Sequence, residues 1–388
     1  MAPVCRSTAD GRPSEALQRL GGQILTGAHP RRICLALQGG GSHGAFEWGA
    51  LDALLEDGRL SPAAASGASA GAMNAVVMAD GLSKGGHEGA RRQLDRFWRE
   101  ISLAGPHSPF GQLDPTAAGS FWRKSLDGAL GGANPFSAAN PFMAAAQSMA
   151  ESLAAGPGVG LSPYQLNPFN LNPLRDVLDA VVDFEQLRAH SAIQLFIAAT
   201  QVRSGRLSIF REQSLTCRHI MASACLPQLF QAVEIDGEAY WDGGYLADPP
   251  LWPLFYGDLP RDVLVINLNP FRRANTPHDS VEIIDRLNEI SFNATLISEF
   301  RAAAFVNRLV EEDLLNDKGR ARYKPVRLHM ITSDGYLADL PLTSKFNTDL
   351  GFLTELKARG REAARTWLDQ HLSAVGRHSS VDVRADFL

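Results

Sequence analysis

Short, nearly continuous apolar runs alternate along this chain with longer stretches of helical periodicity. Ile33-Cys34-Leu35-Ala36-Leu37 is apolar throughout, as in a strand buried on both faces, and it stops at Gln38-Gly39-Gly40-Gly41-Ser42-His43-Gly44. Phe46, Leu51, Leu54 and Leu55 then recur at helical spacing until Asp57-Gly58 closes the segment. A second small apolar run, Ala63 to Ser66, ends at Gly67-Ala68-Ser69-Ala70-Gly71. It is followed by an all-round apolar helix from Ala70 to Ala79 and a more polar one from Glu88 to Ile101.

The pattern resumes at a helix near Leu174 to Val182 and a buried strand from Ile193 to Thr200 paired with Arg206 to Phe210. A helix from Leu215 to Cys225 precedes a hairpin across Asp236-Gly237, with arms Ala232 to Ile235 and Ala239 to Trp241. Further strands are expected at Val263 to Leu268 and Val326 to Ile331, with helices over Ser280 to Leu315 and Leu350 to Leu372. Strands alternating with helices in this way predict an α/β sandwich with a largely parallel sheet.

Between the two regular regions the character changes. Residues 103–173 are rich in Gly, Ala, Pro, Asn and aromatics, and Asn-Pro-Phe recurs at Asn134, Asn140 and Asn167. Asn favours a helix cap and Pro the first turn, so these triplets predict capped turns entering short helices. The segment is expected to be an insertion, either a variable loop or a lid whose aromatics roof an acyl-chain groove or rest on a lipid surface. Residues 1–30, polar and glycine-bearing, are expected to form a flexible arm, and residues 31–388 a single domain carrying that insertion.

With 388 residues, 45% hydrophobic and 20% charged, the composition is globular. A net charge of −5 without any Lys/Arg block argues against a nucleic-acid partner. Cys5, Cys34, Cys217 and Cys225 show no C-x-x-C spacing and are expected to be reduced thiols. Arg6, Arg12 and Arg19 near the start adjoin no apolar core of a leader, and no apolar run is long enough to span a bilayer. The expected location is the cytoplasm, with peripheral membrane contact through the insertion allowed.

The chemistry concentrates at the two glycine-bearing loops. A strand that reverses sharply into a helix projects the corner serine at the sheet edge, and flanking glycines let neighbouring backbone pass. Ser69, between Gly67 and Gly71, therefore reads as a nucleophile site. The glycines at 39–41 leave backbone N–H groups free to converge on an anion, as an oxyanion hole or a phosphate cradle does. Gly39 to Gly44 also fits the dinucleotide fingerprint formally, but the next strand ends in the serine elbow and not in an acidic ribose-binding residue. Acyl transfer explains both loops together.

A serine needs a base. Asp242, at the end of a strand-like run and followed by Gly243 and Gly244, is the strongest candidate. It would form a Ser–Asp dyad, whereas the chain order Ser69, Asp242, His329 also fits a hydrolase triad. His329 lies in an apolar run, where a histidine is more often a packed core residue. No H-E-x-x-H pattern supports a metal site.

Gly39 to Gly44, Gly67 to Gly71 and Asp242 to Gly244, in this order, resemble the three signatures of the patatin-like phospholipase family. Ala222-Ser223-Ala224-Cys225-Leu226-Pro227 is similar to that family's helix before the dyad aspartate. The resemblance spans roughly residues 33–80 and 190–255. It implies a three-layer α/β/α domain with a mostly parallel sheet, Ser69 as nucleophile, Asp242 as its base, and an oxyanion hole from Gly39, Gly40 and Gly41. The implied activity is a phospholipase A or lysophospholipase-like hydrolysis of lipid acyl esters, with no cofactor or metal. Hydrolysis of soluble esters, acyl transfer and a non-catalytic lipid-binding role are the alternatives. Two positions depart from the family pattern: His43 stands where an Arg or Lys is usual, and Asp248 replaces the usual Asn before Pro249.

Overall fold

The structure, a computed structural model, describes residues 30–105 and 162–387 other than Gln228, Asp279 and Asp334. The expected N-terminal arm and most of the expected insertion, with its triplets at Asn134 and Asn140, lie outside the described residues.

Strand β1 (Arg31–Leu37) leads through a 3-10 turn (Gly41–His43) into α1 (Gly44–Asp57), and β2 (Leu60–Gly67) into the long α2 (Ala70–Ala104). Inside α2, Gly85 and Gly86 leave the helical conformation, which reproduces the break expected between two helices there. Beyond the insertion come α3 (Pro173–Val181), α4 (Phe184–His190), β3 (Gln194–Gln201), β4 (Arg206–Arg211) and α5 (Cys217–Ser223). They are followed by β5 (Val233–Ile235), β6 (Glu238–Asp242), β7 (Asp262–Asn267), α6 (Ser280–Glu311), β8 (Arg327–Thr332) and α7 (Leu350–His371).

The strands form an 8-stranded sheet in the order β5-β6-β3-β2-β1-β7-β8, with β4 paired to β3. From β3 to β8 every pairing on that path is parallel, and β4, β5 and β6 add antiparallel ones. The continuous apolar runs have a direct cause. Successive side chains of a strand point to opposite faces. In β1, Ile33, Leu35 and Leu37 enter one core with residues of α1, α2 and α7, while Cys34 and Ala36 enter a second with Leu296 and Phe300 of α6. Two cores on one sheet make the three-layer α/β/α sandwich that the resemblance implies, at roughly 1.5–3 kcal/mol for each large side chain buried.

Polar ties fix the layers in register. Asn74 of α2 donates to the Gly44 carbonyl and to Glu47 Oε2 of α1, both at 2.9 Å, and accepts from Trp98 Nε1 at 3.0 Å. His329 of β8 is fully buried, with Asp262 Oδ1 at 3.0 Å from Nε2 and Ser380 Oγ at 3.1 Å from Nδ1. Asp262 also accepts from Arg327 and from the Gly376 N–H, so this group fastens the C-terminal segment to the sheet. Cys34, Cys217 and Cys225 are free and buried, and burial pushes each thiol up to about 12.

Two local readings needed adjustment. The helix α4, capped by the Asp183 side chain at the Gln186 N–H, was not expected, since seven residues are too few to show a helical period. Asn167 does not open a helix: it follows a helical turn, and its side chain accepts from the Leu171 N–H at 2.9 Å. Asn172-Pro173 instead shows the expected arrangement, with Asn172 capping α3 at the Leu174 N–H.

The elbow allows no side chain at its glycines. A Cβ on Gly71 would collide with the Leu37 carbonyl oxygen, and one on Gly67 would lie 2.5 Å from the Gly71 carbonyl carbon. Gly71→Ala should therefore destabilise the fold by about 1–3 kcal/mol, read as a lower melting temperature and denaturation midpoint. A variant as stable as the parent would show that β1 and the elbow do not pack this closely.

Candidate active site

Parallel pairing of β1 and β2 brings their carboxyl ends level, Leu37 opposite Gly67, so the glycine loop and the serine elbow leave the sheet side by side. Ser69 has φ +52°, a sparsely populated conformation for a residue with a Cβ. What holds it there comes from far along the chain. The Ser69 N–H donates to both the carbonyl and the Oγ of Ser223, each at 3.1 Å, at the end of α5. Two residues on, the Cys225 carbonyl accepts from the Asp242 N–H at 2.8 Å. One short segment thus anchors both the serine and the aspartate.

Asp242 ends β6, opposite Ala199 of β3. Its Oδ1 accepts from the Gly244 N–H at 2.8 Å, its carbonyl accepts from Thr200 Oγ1 at 2.8 Å, and its carboxyl shares one cavity with Ser69. Burial pushes the Asp242 carboxyl up to about 7, against the opposing pull of the Gly244 N–H and the nearby Ser69 hydroxyl. A carboxylate that titrates near neutrality is matched to accepting and returning a proton.

Ser69 and Asp242 open on one cavity of about 140 Å³, together with Gly39, Gly40 and Gly41. Its other walls are mainly apolar, including Leu226, Leu229, Phe292 and Phe346. The glycine loop is pinned from several sides. The Gly39 N–H donates to Asp248 Oδ1 at 2.5 Å, and Gln38 Oε1 accepts from Asn267 Nδ2 and the N–H groups of Leu268 and Asn269 at 2.7–2.8 Å. Gly41 has φ +57°, and a Cβ there would strike the Lys345 carbonyl oxygen. Gly39 was expected among the oxyanion donors, but its N–H is committed to Asp248. Gly40 and Gly41 line the same cavity.

His43 is buried, with Nε2 2.7 Å from Ser344 Oγ, and it is not among the residues lining the cavity. Burial, with the Lys345 ammonium adding to it, pushes its imidazole down to about 3, so it carries no charge at neutral pH. A cation nevertheless reaches the site. Lys345, half-buried, lines the cavity with its Nζ 2.8 Å from Asn269 Oδ1 and 5.8 Å from the Phe292 ring centre. Burial lowers the Lys345 pKa, while the carboxyl groups of Asp248, Glu289 and Asp285 pull it back up. Lys345 escaped the sequence reading because it belongs to no motif and reaches the loop only through tertiary packing. His329 is brought neither to Ser69 nor to Asp242, since both ring nitrogens are engaged at Asp262 and Ser380. Among the described residues no cluster of His, Cys, Asp and Glu is arranged for a metal ion.

The fold and the cavity define an α/β protein that presents a serine and a carboxyl group together at the carboxyl edge of its sheet. A family model described as patatin-like phospholipase matches residues 35–255, more than half of the chain, and the chain belongs to that family. The family acts on lipids, so the chain is a lipid acyl hydrolase in the broad sense. The crystal structure of VipD from Legionella pneumophila is similar with a TM-score of 0.39 and 17% identity, over 88% of this chain and 67% of that one. No curated protein matches the chain.

Raising the pKa of Asp242 has a stability consequence. The fold holds the Asp242 proton more tightly than the unfolded chain does, so this contribution is fully present below the ordinary carboxyl range and is lost as pH rises from about 4 to about 7. Asp242→Asn should accordingly melt higher than the parent at pH 8, by a margin on the order of 2–4 kcal/mol, and show no such gain at pH 4. Equal melting shifts at both pH values would contradict a perturbed Asp242.

Proposed function

We propose that the chain is a serine carboxylic-ester hydrolase of lipids, acting on phospholipids or lysophospholipids through a Ser69–Asp242 dyad. The observation that carries this reading is that Ser69, held at φ +52°, and the buried Asp242 carboxyl line one cavity together with Gly40 and Gly41. Ser69 Oγ attacks the ester carbonyl carbon while Asp242 takes its proton. The N–H groups of Gly40 and Gly41 hold the oxyanion, with Gly39 anchoring their loop to Asp248. Collapse expels the alcohol, which leaves with the proton from Asp242. Water, deprotonated by Asp242, then attacks the acyl-enzyme, and the fatty acid is released as Asp242 returns the proton to Ser69 Oγ. Gly67, Gly71, Gly243 and Gly244 serve this site through backbone geometry.

The lipid assignment draws on two further features. Apolar walls suit an acyl chain, and the Lys345 ammonium among them suits the phosphate of a headgroup and makes up for the missing charge at His43. A lipid surface is the natural partner. Ile283, Leu287 and Ile290 stand exposed along α6, on the helix that also lends Asn288 and Phe292 to the cavity. Among the described residues no helix is long and apolar enough to cross a membrane.

Ser69→Ala and Asp242→Ala should each reduce turnover of a p-nitrophenyl acyl ester by about a thousandfold or more, while His329→Gln retains activity per folded molecule. Loss in His329→Gln with survival in Asp242→Ala would replace the dyad by a triad. In a panel of phospholipids, lysophospholipids, monoacylglycerols and soluble esters, micellar phosphate-bearing lipids should give the highest kcat/KM. A preference for soluble esters, or transfer to an added alcohol in place of hydrolysis, would reassign the substrate or the acceptor.

A further inference from the structure

Asp248 is fully buried, six residues past the proposed base, and lines the same cavity. Its Oδ1 accepts from the Gly39 N–H at 2.5 Å, whereas its Oδ2 is buried and makes no hydrogen bond among the described residues. Gln38 Nε2 faces the same carboxyl but directs its bonds to Asn293 Oδ1 at 3.1 Å and to the Asp248 main-chain carbonyl at 3.4 Å. A carboxylate in such a place, with one oxygen buried and unpaired among the described residues, is strongly disfavoured and takes up a proton.

We infer that Asp248 is a positioning residue that works as a neutral carboxylic acid, fixing the oxyanion loop through Gly39 without placing a second negative charge beside the forming oxyanion. Asp242 across the cavity disfavours a further anion at Asp248, while the Gly39 N–H, Lys345 and Gln38 favour its ionised form. Burial, the largest influence, raises its pKa well above the ordinary carboxyl range.

The alternative state has a clear penalty. An ionised Asp248 would keep its bond to Gly39 but would oppose the charge that Gly40 and Gly41 are proposed to stabilise, because unlike water the cavity walls screen weakly. As a neutral acid, Asp248 presents a carbonyl oxygen to Gly39 and a hydroxyl at Oδ2. An asparagine side chain has the same shape, with an acceptor on one branch and a donor on the other. Asp248 and asparagine are therefore expected to be interchangeable here, which would be surprising for a buried residue valued for its charge.

This inference rests on the proposed role of Gly40 and Gly41, and its test separates the two. Infrared spectra of the parent and Asp248→Asn at pH 8 should differ by the carbonyl stretch of one neutral carboxylic acid, present in the parent and missing in the variant. Glu47, whose burial also favours its neutral form, contributes equally to both. With a p-nitrophenyl ester, Asp248→Asn should keep kcat within about threefold of the parent and should melt no lower at pH 8, while Asp248→Ala, lacking the acceptor for Gly39, should lose about tenfold or more. The inference is overturned if no acid band disappears, if Asp248→Asn loses as much activity as Asp248→Ala, or if Asp248→Asn folds less stably at pH 8. The band reports on Asp248 whatever the reaction, so an inactive parent would count against the proposed function alone.

Discussion

The site depends on one pairing: β1 against β2, parallel and in register, so that Leu37 and Gly67 end at the same level. In a parallel sheet the carboxyl ends of neighbouring strands share one edge, and the loops that leave them cannot avoid each other. Here one loop brings amides and the other a serine. Small residues make the approach feasible, for α2 begins so close to β1 that Gly71 has no room for a Cβ beside Leu37. The remaining parts are drawn to the same edge by the antiparallel addition of β6 to β3 and by the Ser223 to Cys225 segment, which ties the backbones of Ser69 and Asp242.

The electrostatics of the cavity follow from burial more than from sequence charge. Asp242 and Asp248 are both removed from water, yet their environments differ. Asp242 meets the Gly244 N–H and a hydroxyl and is pushed up only to about 7, near the pH at which a base is useful. Asp248 meets one N–H and a neighbouring carboxyl and is held neutral more firmly. On the proposed reading, two buried carboxyl groups with separated affinities for the proton serve as one base and one fixed neutral partner. The positive charge is supplied by Lys345, in place of a residue within the loop, and His43 is left to pack neutrally against Ser344.

Much of this was legible in the sequence where the signal was local. The apolar runs of β1, β7 and β8 show a strand buried on both faces, and the hairpin turn at Asp236-Gly237 is written in the residues that tolerate positive φ, here +52° and +80°. Ser69 and Asp242 stood out because glycines flank them. What could not be read was long-range. Nothing around Lys345 or Asn269 announces that they converge on the glycine loop, more than two hundred residues earlier in the chain. The commitment of the Gly39 N–H to Asp248 likewise required the fold, because a glycine run shows that amides are free to turn but not which partner each meets. His43 and His329 illustrate the converse: both are histidines near plausible chemistry, and packing makes both structural.

The central claim, an activated serine at the elbow, is tested most directly by exposing the protein to a fluorophosphonate and locating the adduct by peptide mass spectrometry. The account predicts a single stoichiometric adduct on Ser69, formed faster as pH rises through about 7 with ionisation of Asp242 and formed far more slowly in Asp242→Asn. An unlabelled Ser69, or labelling that is indifferent to Asp242, would contradict it.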